Sequence, residues 1–185
     1  MLIRFFDFIA ALLGLLLLWP ILLIVIVLGV FDTGSPIFVQ TRVGKNKKPF
    51  KLIKFRTMSV NTQSVASHLA STSSITKLGA FLRKTKIDEL PQLINVLKGE
   101  MSLVGPRPNL FNQEELIKER DALGVYEVLP GITGLAQVQN IDMSTPALLA
   151  KTDRQMIDTL NLTSYFRYII MTVTGSGAGD AVGLK

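Results

Sequence analysis

The chain has no cysteine, so no disulfide, thiolate nucleophile or cysteine-ligated zinc can form. It has a single histidine, His68, in a Ser/Thr/Ala-rich stretch where it reads as a loop residue. Mechanisms that need a histidine dyad or a histidine metal cluster are therefore excluded. Charge is missing altogether from Phe8 to Phe31, and acidic residues are missing between Thr33 and Ile87. Eleven lysines and arginines accumulate across that second gap, which ends at two adjacent carboxylates, Asp88 and Glu89. A net charge of +6 favours anionic partners: phospholipid head groups, nucleotide phosphates or nucleic acid. Nucleic acid is the weakest of these, because residues 42–56 offer only Phe50 and Phe55 for stacking and no recognition-helix pattern occurs.

What is present begins with the uncharged run itself. As a helix it spans about 36 Å, enough for a bilayer core. It is too long for a secretory signal and has no A-x-A-like cleavage site. Pro20 falls near its middle, where it removes a hydrogen bond and crowds the preceding turn. Two geometries follow: a kinked spanning helix, or a helix that enters, breaks and returns to the same face. Arg42, Lys45, Lys47, Lys48, Lys51, Lys54 and Arg56 place the following domain on the cytoplasmic side. Arg4 favours a cytoplasmic N-terminus as well, which only the re-entrant form allows.

The rest reads as an α+β, mainly helical chain in three parts: a membrane helix over residues 1–31, a catalytic domain over 32–174, and a flexible Gly-rich tail over 175–185. Short strands are expected at Ile37–Val39 and Lys51–Phe55, around a basic loop with Gly44 and Pro49. The polar 59–76 segment reads as a surface loop or lid. A short helix is expected at Leu78–Arg83. Leu90, Leu93, Ile94 and Leu97 recur at helical spacing, with Pro91 in the first turn and Gly99 as the stop. Further helices are expected at Glu114–Leu123, Pro146–Leu160 and from Ser164. In the last, Phe166, Ile169, Ile170 and Val173 form an apolar stripe, which suits either a membrane interface or packing on the core.

Asp88 and Glu89 thus stand at or just before a helix N-terminus. Taken alone they could simply cap that helix and favour its dipole. Their setting suggests more, because Lys54, Arg56, Lys77, Arg83, Lys84 and Lys86 precede them and Arg107 follows between Pro106 and Pro108. An arginine between two prolines is oriented in advance, and its planar fork suits bidentate phosphate contact. A carboxylate can attack phosphorus while a neighbouring one helps bind magnesium.

The strings Lys54-Phe55-Arg56-Thr57-Met58, Leu82-Arg83-Lys84-Thr85, Ile87-Asp88-Glu89-Leu90-Pro91-Gln92 and Asn95-Val96-Leu97-Lys98-Gly99-Glu100-Met101-Ser102 form one continuous pattern. Leu103-Val104-Gly105-Pro106-Arg107-Pro108 and Pro130-Gly131-Ile132-Thr133-Gly134 extend it. The chain resembles the bacterial sugar transferases, the monotopic phosphoglycosyl transferases, most closely in their minimal single-domain form. The resemblance runs from the N-terminal helix to about residue 140. It implies transfer of a sugar 1-phosphate from a UDP-sugar to polyprenyl (undecaprenyl) phosphate, with release of UMP, at the cytoplasmic face of a bacterial inner membrane. By the same resemblance Asp88 would be the nucleophile of a covalent phosphosugar intermediate, and Glu89 would help hold the cofactor Mg2+. Lys54, Arg56, Arg83, Lys84 and Pro106-Arg107-Pro108 would meet the phosphates. The family's N-terminal helix is re-entrant and broken at a proline, which Pro20 matches. Trp19 departs from the serine that many members carry before that proline, and an indole cannot satisfy freed backbone as a hydroxyl does. No motif names the sugar, and the oligomeric state, a homodimer included, is left open.

Two other classes compete with this reading. A membrane-tethered basic module that binds anionic lipid or a partner would need the basic face but neither Asp88 nor magnesium. A magnesium-dependent phosphatase would use the same carboxylates and release phosphate without any lipid acceptor.

Overall fold

A computed structural model describes residues 2–62 and 74–175 of the chain. His68, most of the 59–76 segment and the tail beyond Gly175 lie outside the described residues. Helix α1, Leu2–Thr33, is longer than the apolar run alone suggested. Its helical backbone continues through Pro20, so the expected break does not take the form of an interrupted helix. The physical reason is phase. Asp7, Ala11, Val25 and Gly29 are buried, Gly14, Leu15, Leu18 and Leu22 are half-buried, and all fall on one stripe of helical period. That stripe lies on the domain over the full length of α1. Pro20 is on the outer face, turned away from the packed stripe.

Both ends of α1 therefore touch the same body. Near the start, the Arg4 guanidinium donates to the carbonyls of Val96 and Met101. Near the end, Gly29 lies so close to Pro36 that an added Cβ would come within 2.7 Å of the proline Cβ. A helix that carried its N-terminus across a bilayer and away from the domain could not make both contacts. The opposite face shows Leu16, Leu17, Trp19, Leu23, Ile24 and Phe31 to the surroundings. By length and composition α1 is able to cross a membrane.

Strands β1 (Ile37–Val43) and β2 (Pro49–Phe55) form an antiparallel hairpin, longer than expected at each strand. Phe50 and Leu52 face inward and pack with Ala11 of α1 and with Leu93, Val96 and Met101. The chain continues through α2 (Lys77–Thr85) to a 3₁₀ turn at Ile87–Glu89 and then α3 (Gln92–Leu97). Gly99 ends α3 at φ +82°, where a side chain would be strained. Next come β3 (Ser102–Val104), α4 (Glu114–Ala122) and β4 (Gly131–Thr133), with β3 and β4 paired in parallel. The sequence reading missed that pair, since three-residue strands carry no measurable periodicity. Helices α5 (Leu135–Val138), α6 (Pro146–Thr159) and α7 (Leu162–Val173) complete the domain.

Helix α7 opens on a capping box between Asn161 and Ser164. It packs inward through Tyr165 and Tyr168, while Phe166, Ile170 and Val173 stay exposed. Three of the four residues of the expected apolar stripe thus point outward, while Ile169 packs on the core beside Tyr165 and Tyr168. Asp7, the residue just before the uncharged run, joins α1 to this region. It accepts hydrogen bonds from Ser102 Oγ (3.0 Å), Leu103 N (2.8 Å) and Tyr165 Oη (2.9 Å). Burial, with the Asp7 charge beside it, pushes the Tyr165 phenol above its ordinary range, so it remains a donor.

Asp7→Ala leaves three buried donors unsatisfied, at about 1–3 kcal/mol each before relaxation. The expected outcome is a marked fall in melting temperature in detergent micelles, with Tyr165→Phe costing about 1 kcal/mol. Unchanged melting of Asp7→Ala would show that α1 is held elsewhere.

Candidate active site

The site starts from one unusual residue. Lys86 ends α2 in the left-handed conformation, φ 58° and ψ 15°, which a non-glycine side chain adopts at a cost of order 1 kcal/mol. That reversal turns the chain straight into the 3₁₀ turn and brings Asp88 and Glu89 inward. They are 3% and 7% exposed, far too buried for ordinary surface caps. The helix they precede has only six residues, so its dipole is a minor source of positive potential. The field comes from side chains. Arg107 Nη2 donates to Glu89 Oε1 at 2.6 Å. Lys86 Nζ donates to the carbonyl of Thr172 in α7 at 3.2 Å. Burial lowers the Lys86 pKa, the Glu89 charge raises it and the Arg107 charge lowers it, with a net fall.

The segment carrying Arg107 is held by its backbone. The three successive carbonyls of Pro106, Arg107 and Pro108 accept from three different places: Gly131 N at 2.9 Å, Arg120 Nη1 at 2.8 Å and Arg42 Nη1 at 3.1 Å. Gly105 allows this closeness, because a Cβ there would come within 2.5 Å of the Leu129 carbonyl oxygen. Arg120 is itself buried. It donates to Asn109 Oδ1 and, through Nε and Nη2, to Asp153 Oδ2 at 2.9 and 2.7 Å. Burial pushes the Asp153 carboxyl up, and the charge and hydrogen bonds of Arg120 pull it back. Tyr126, its phenol also raised chiefly by burial, donates to the same Asn109 oxygen at 2.9 Å.

The structure brings Asp88, Glu89, Arg107, Pro106 and Pro108 into one region. Lys54 continues the inward row of β2 beside the carboxylate turn and is 6% exposed. Arg83, on α2, donates to Thr57 Oγ1 at 2.9 Å, and Lys84 is exposed. Arg56 has partners outside the carboxylate turn, near Ser35 and Phe38. Its guanidinium donates to the Ser35 carbonyl at 2.8 Å and lies 5.4 Å from the Phe38 ring centre, at the joint between α1 and β1. Arg42, Arg120, Asn109 and Asp153 were not anticipated. No local sequence signal marks them: Arg120 and Asp153 lie among other charges on polar helices, and Arg42 opens a run of basic residues.

Asp88 and Glu89 offer hard oxygen ligands. No cluster of three or more metal-ligating side chains occurs among the described residues. Two carboxylates fit magnesium, which commonly takes one or two from protein and the rest from water and substrate phosphates.

A bacterial sugar transferase family model matches residues 1–177. The chain belongs to the bacterial sugar transferase family. Several family members are similar to it over most of its length. The uncharacterized sugar transferase EpsL of Bacillus subtilis is 47% identical over 136 residues, covering 73% of this chain and 67% of its own. An uncharacterized sugar transferase of Haemophilus influenzae is 41% identical over 163 residues, covering 77% of this chain and 34% of its own. The UDP-glucose:undecaprenyl-phosphate glucose-1-phosphate transferase of Escherichia coli is 43% identical over 137 residues, covering 71% of this chain and 30% of its own. The chain thus spans about a third of the length of some family members and about two thirds of others.

Arg120→Met strands the buried Asp153 charge and is expected to cost about 3–5 kcal/mol in urea unfolding. Adding Asp153→Leu should recover most of that loss, since an apolar pair can replace a buried ion pair. A double variant no more stable than the single one would contradict the coupling.

Proposed function

We propose that the protein transfers a sugar 1-phosphate from a UDP-sugar to polyprenyl phosphate in a bacterial membrane. The observation that carries this reading is the buried Asp88-Glu89 turn facing a backbone-fixed Arg107, on a domain that lies along an apolar membrane helix. Relatives named as UDP-glucose:undecaprenyl-phosphate glucose-1-phosphate transferases support it. The carboxylates and cations suit a doubly anionic diphosphate, and the exposed faces of α1 and α7 suit a lipid partner.

In this reading an Asp88 carboxylate oxygen attacks the sugar-bearing phosphorus. The bond from that phosphorus to the bridging oxygen breaks, and the oxygen leaves with UMP. Asp88 then carries the phosphosugar as an acyl phosphate. A phosphate oxygen of the lipid attacks the same phosphorus, freeing Asp88 and leaving a lipid-linked diphosphate sugar. Arg107 holds Glu89 and offers its remaining donors to the diphosphate. Glu89, with Asp88 beside it, would hold Mg2+, which when bound offsets phosphate charge. Burial of the turn keeps competing water from the acyl phosphate.

UMP release from a panel of UDP-sugars by detergent-purified protein, with magnesium and with or without undecaprenyl phosphate, tests the reading. Lipid-dependent UMP release is expected for at least one donor, with a stoichiometric burst when lipid is omitted. Free phosphate as the product would favour a phosphatase instead. Asp88→Asn should lower turnover by ~10³-fold or more, and near-normal rates would remove Asp88 as nucleophile. Glu89→Gln should slow the reaction and raise the magnesium concentration needed for half-maximal rate. Arg107→Lys should reduce kcat/KM by about 10–100-fold despite the retained charge, because hydrogen bonds to charged groups are worth about 1.5–3 kcal/mol.

A further inference from the structure

Beside the carboxylate turn lies a cavity of about 270 Å³. Its walls are Leu90 just after the carboxylate turn, Leu93 from α3, Leu103 and Ile132 from β3 and β4, and Ile169 and Val173 from α7. Leu103 and Ile132 share one face of the parallel pair, since the register joins Ser102 to Gly131 and Val104 to Thr133. The polar groups of its lining are linked: Lys86 Nζ donates to the Thr172 carbonyl and the Thr133 and Thr172 hydroxyls share a hydrogen bond, with Glu89 and Thr85 also in the wall. Val173 also lines the cavity, is 81% exposed and continues into Ile170 and Phe166 on the outer face of α7. Phe166 in turn meets Phe6 of α1 edge-on, with ring centres 5.3 Å apart. An apolar path thus runs from the carboxylate turn, between α3 and α7, to the exposed apolar surface shared by α1 and α7.

Resting on the function proposed above, we infer that this cavity seats the phosphate-proximal isoprenoid units of the lipid acceptor. The shape and polarity match a molecule with one anionic end and a long unsaturated chain. The phosphate meets Lys86 beside Glu89, the first units pack on Leu93, Leu103 and Ile132, and the remaining chain leaves past Val173. Its volume lies at the small end of ligand pockets, so it holds the start of the chain and not its full length. A water-soluble nucleotide sugar has no use for such walls. The two substrates therefore approach Asp88 from different sides, the donor along Arg107 and the acceptor along α7.

Filling the cavity tests this. Ile169→Trp, and separately Ile132→Phe, should raise KM for undecaprenyl phosphate about tenfold or more while moving KM for the UDP-sugar less than about twofold, a split that separates acceptor binding from general damage. Val173→Glu, an exposed change that cannot disturb the core, should act in the same direction. Equal changes in both KM values, or an unaltered lipid KM in all three variants, would overturn the inference. A binding arm makes the outcome independent of turnover. Geranyl phosphate should raise the melting temperature of the unaltered protein and lose that effect in Ile169→Trp, whereas inorganic phosphate should give neither result. Equal protection by phosphatidic acid would overturn the isoprenoid assignment in favour of a general anionic-lipid site. If geranyl phosphate protects selectively but no donor yields UMP, the seat stands and the transferase reading falls.

Discussion

The guanidinium of Arg120 is sealed from solvent, and the site depends on where it puts its donors. Two go to Asp153 on α6, one to Asn109 and one to the carbonyl of Arg107. A buried cation cannot leave its donors unmatched without a penalty of several kcal/mol, so this set of bonds has little freedom to rearrange. The position of α6, packed against α4, is thereby transmitted to the backbone that presents Arg107. Neutral backbone donors could hold the same carbonyls, but a charged fork fixes both distance and direction.

The carboxylate turn is organised by the same logic from the other side. Lys86 reverses the chain in a conformation that costs energy, and its ammonium then ties α7 to the turn through the Thr172 carbonyl. Arg107 meets Glu89 across the gap. Buried carboxylates are tolerated because cations approach from two separate segments, Lys86 at the end of α2 and the Pro-Arg-Pro segment. The strain and the charge are concentrated where the proposed chemistry would occur, and the hydrophobic clusters around Leu52, Val96 and Met101 supply the rigidity that sustains them.

Much of this was legible in the residues. The acid-free basic stretch, the adjacent carboxylates, the paired prolines and most helices could be read directly, because composition and period 3.6 are local signals. The parts that could not be read are non-local. Asp7 looks like the last polar residue before an apolar run, yet it joins α1, β3 and α7. Arg120 looks like one charge among several on a polar helix, yet it is the most deeply enclosed cation of the described residues. Arg56 sits in a strongly patterned motif and still has its visible partners at the α1–β1 joint. Three-residue strands such as β3 and β4 owe their existence to each other and to the close approach of Gly105 and Gly131, which no window of one segment contains.

The stripe on α1 has a consequence of a different kind. Asp7, Ala11, Val25 and Gly29 share one rotational phase, and each successive residue turns that phase by about 100°. Substituting one apolar residue for another on the outer face leaves the phase untouched. Inserting or deleting a single residue between Leu18 and Leu22 does not, because one half of the helix must then turn its packed side away from the domain. The anchor is therefore free in its composition toward lipid and fixed in its length, like a screw whose thread is cut to one nut.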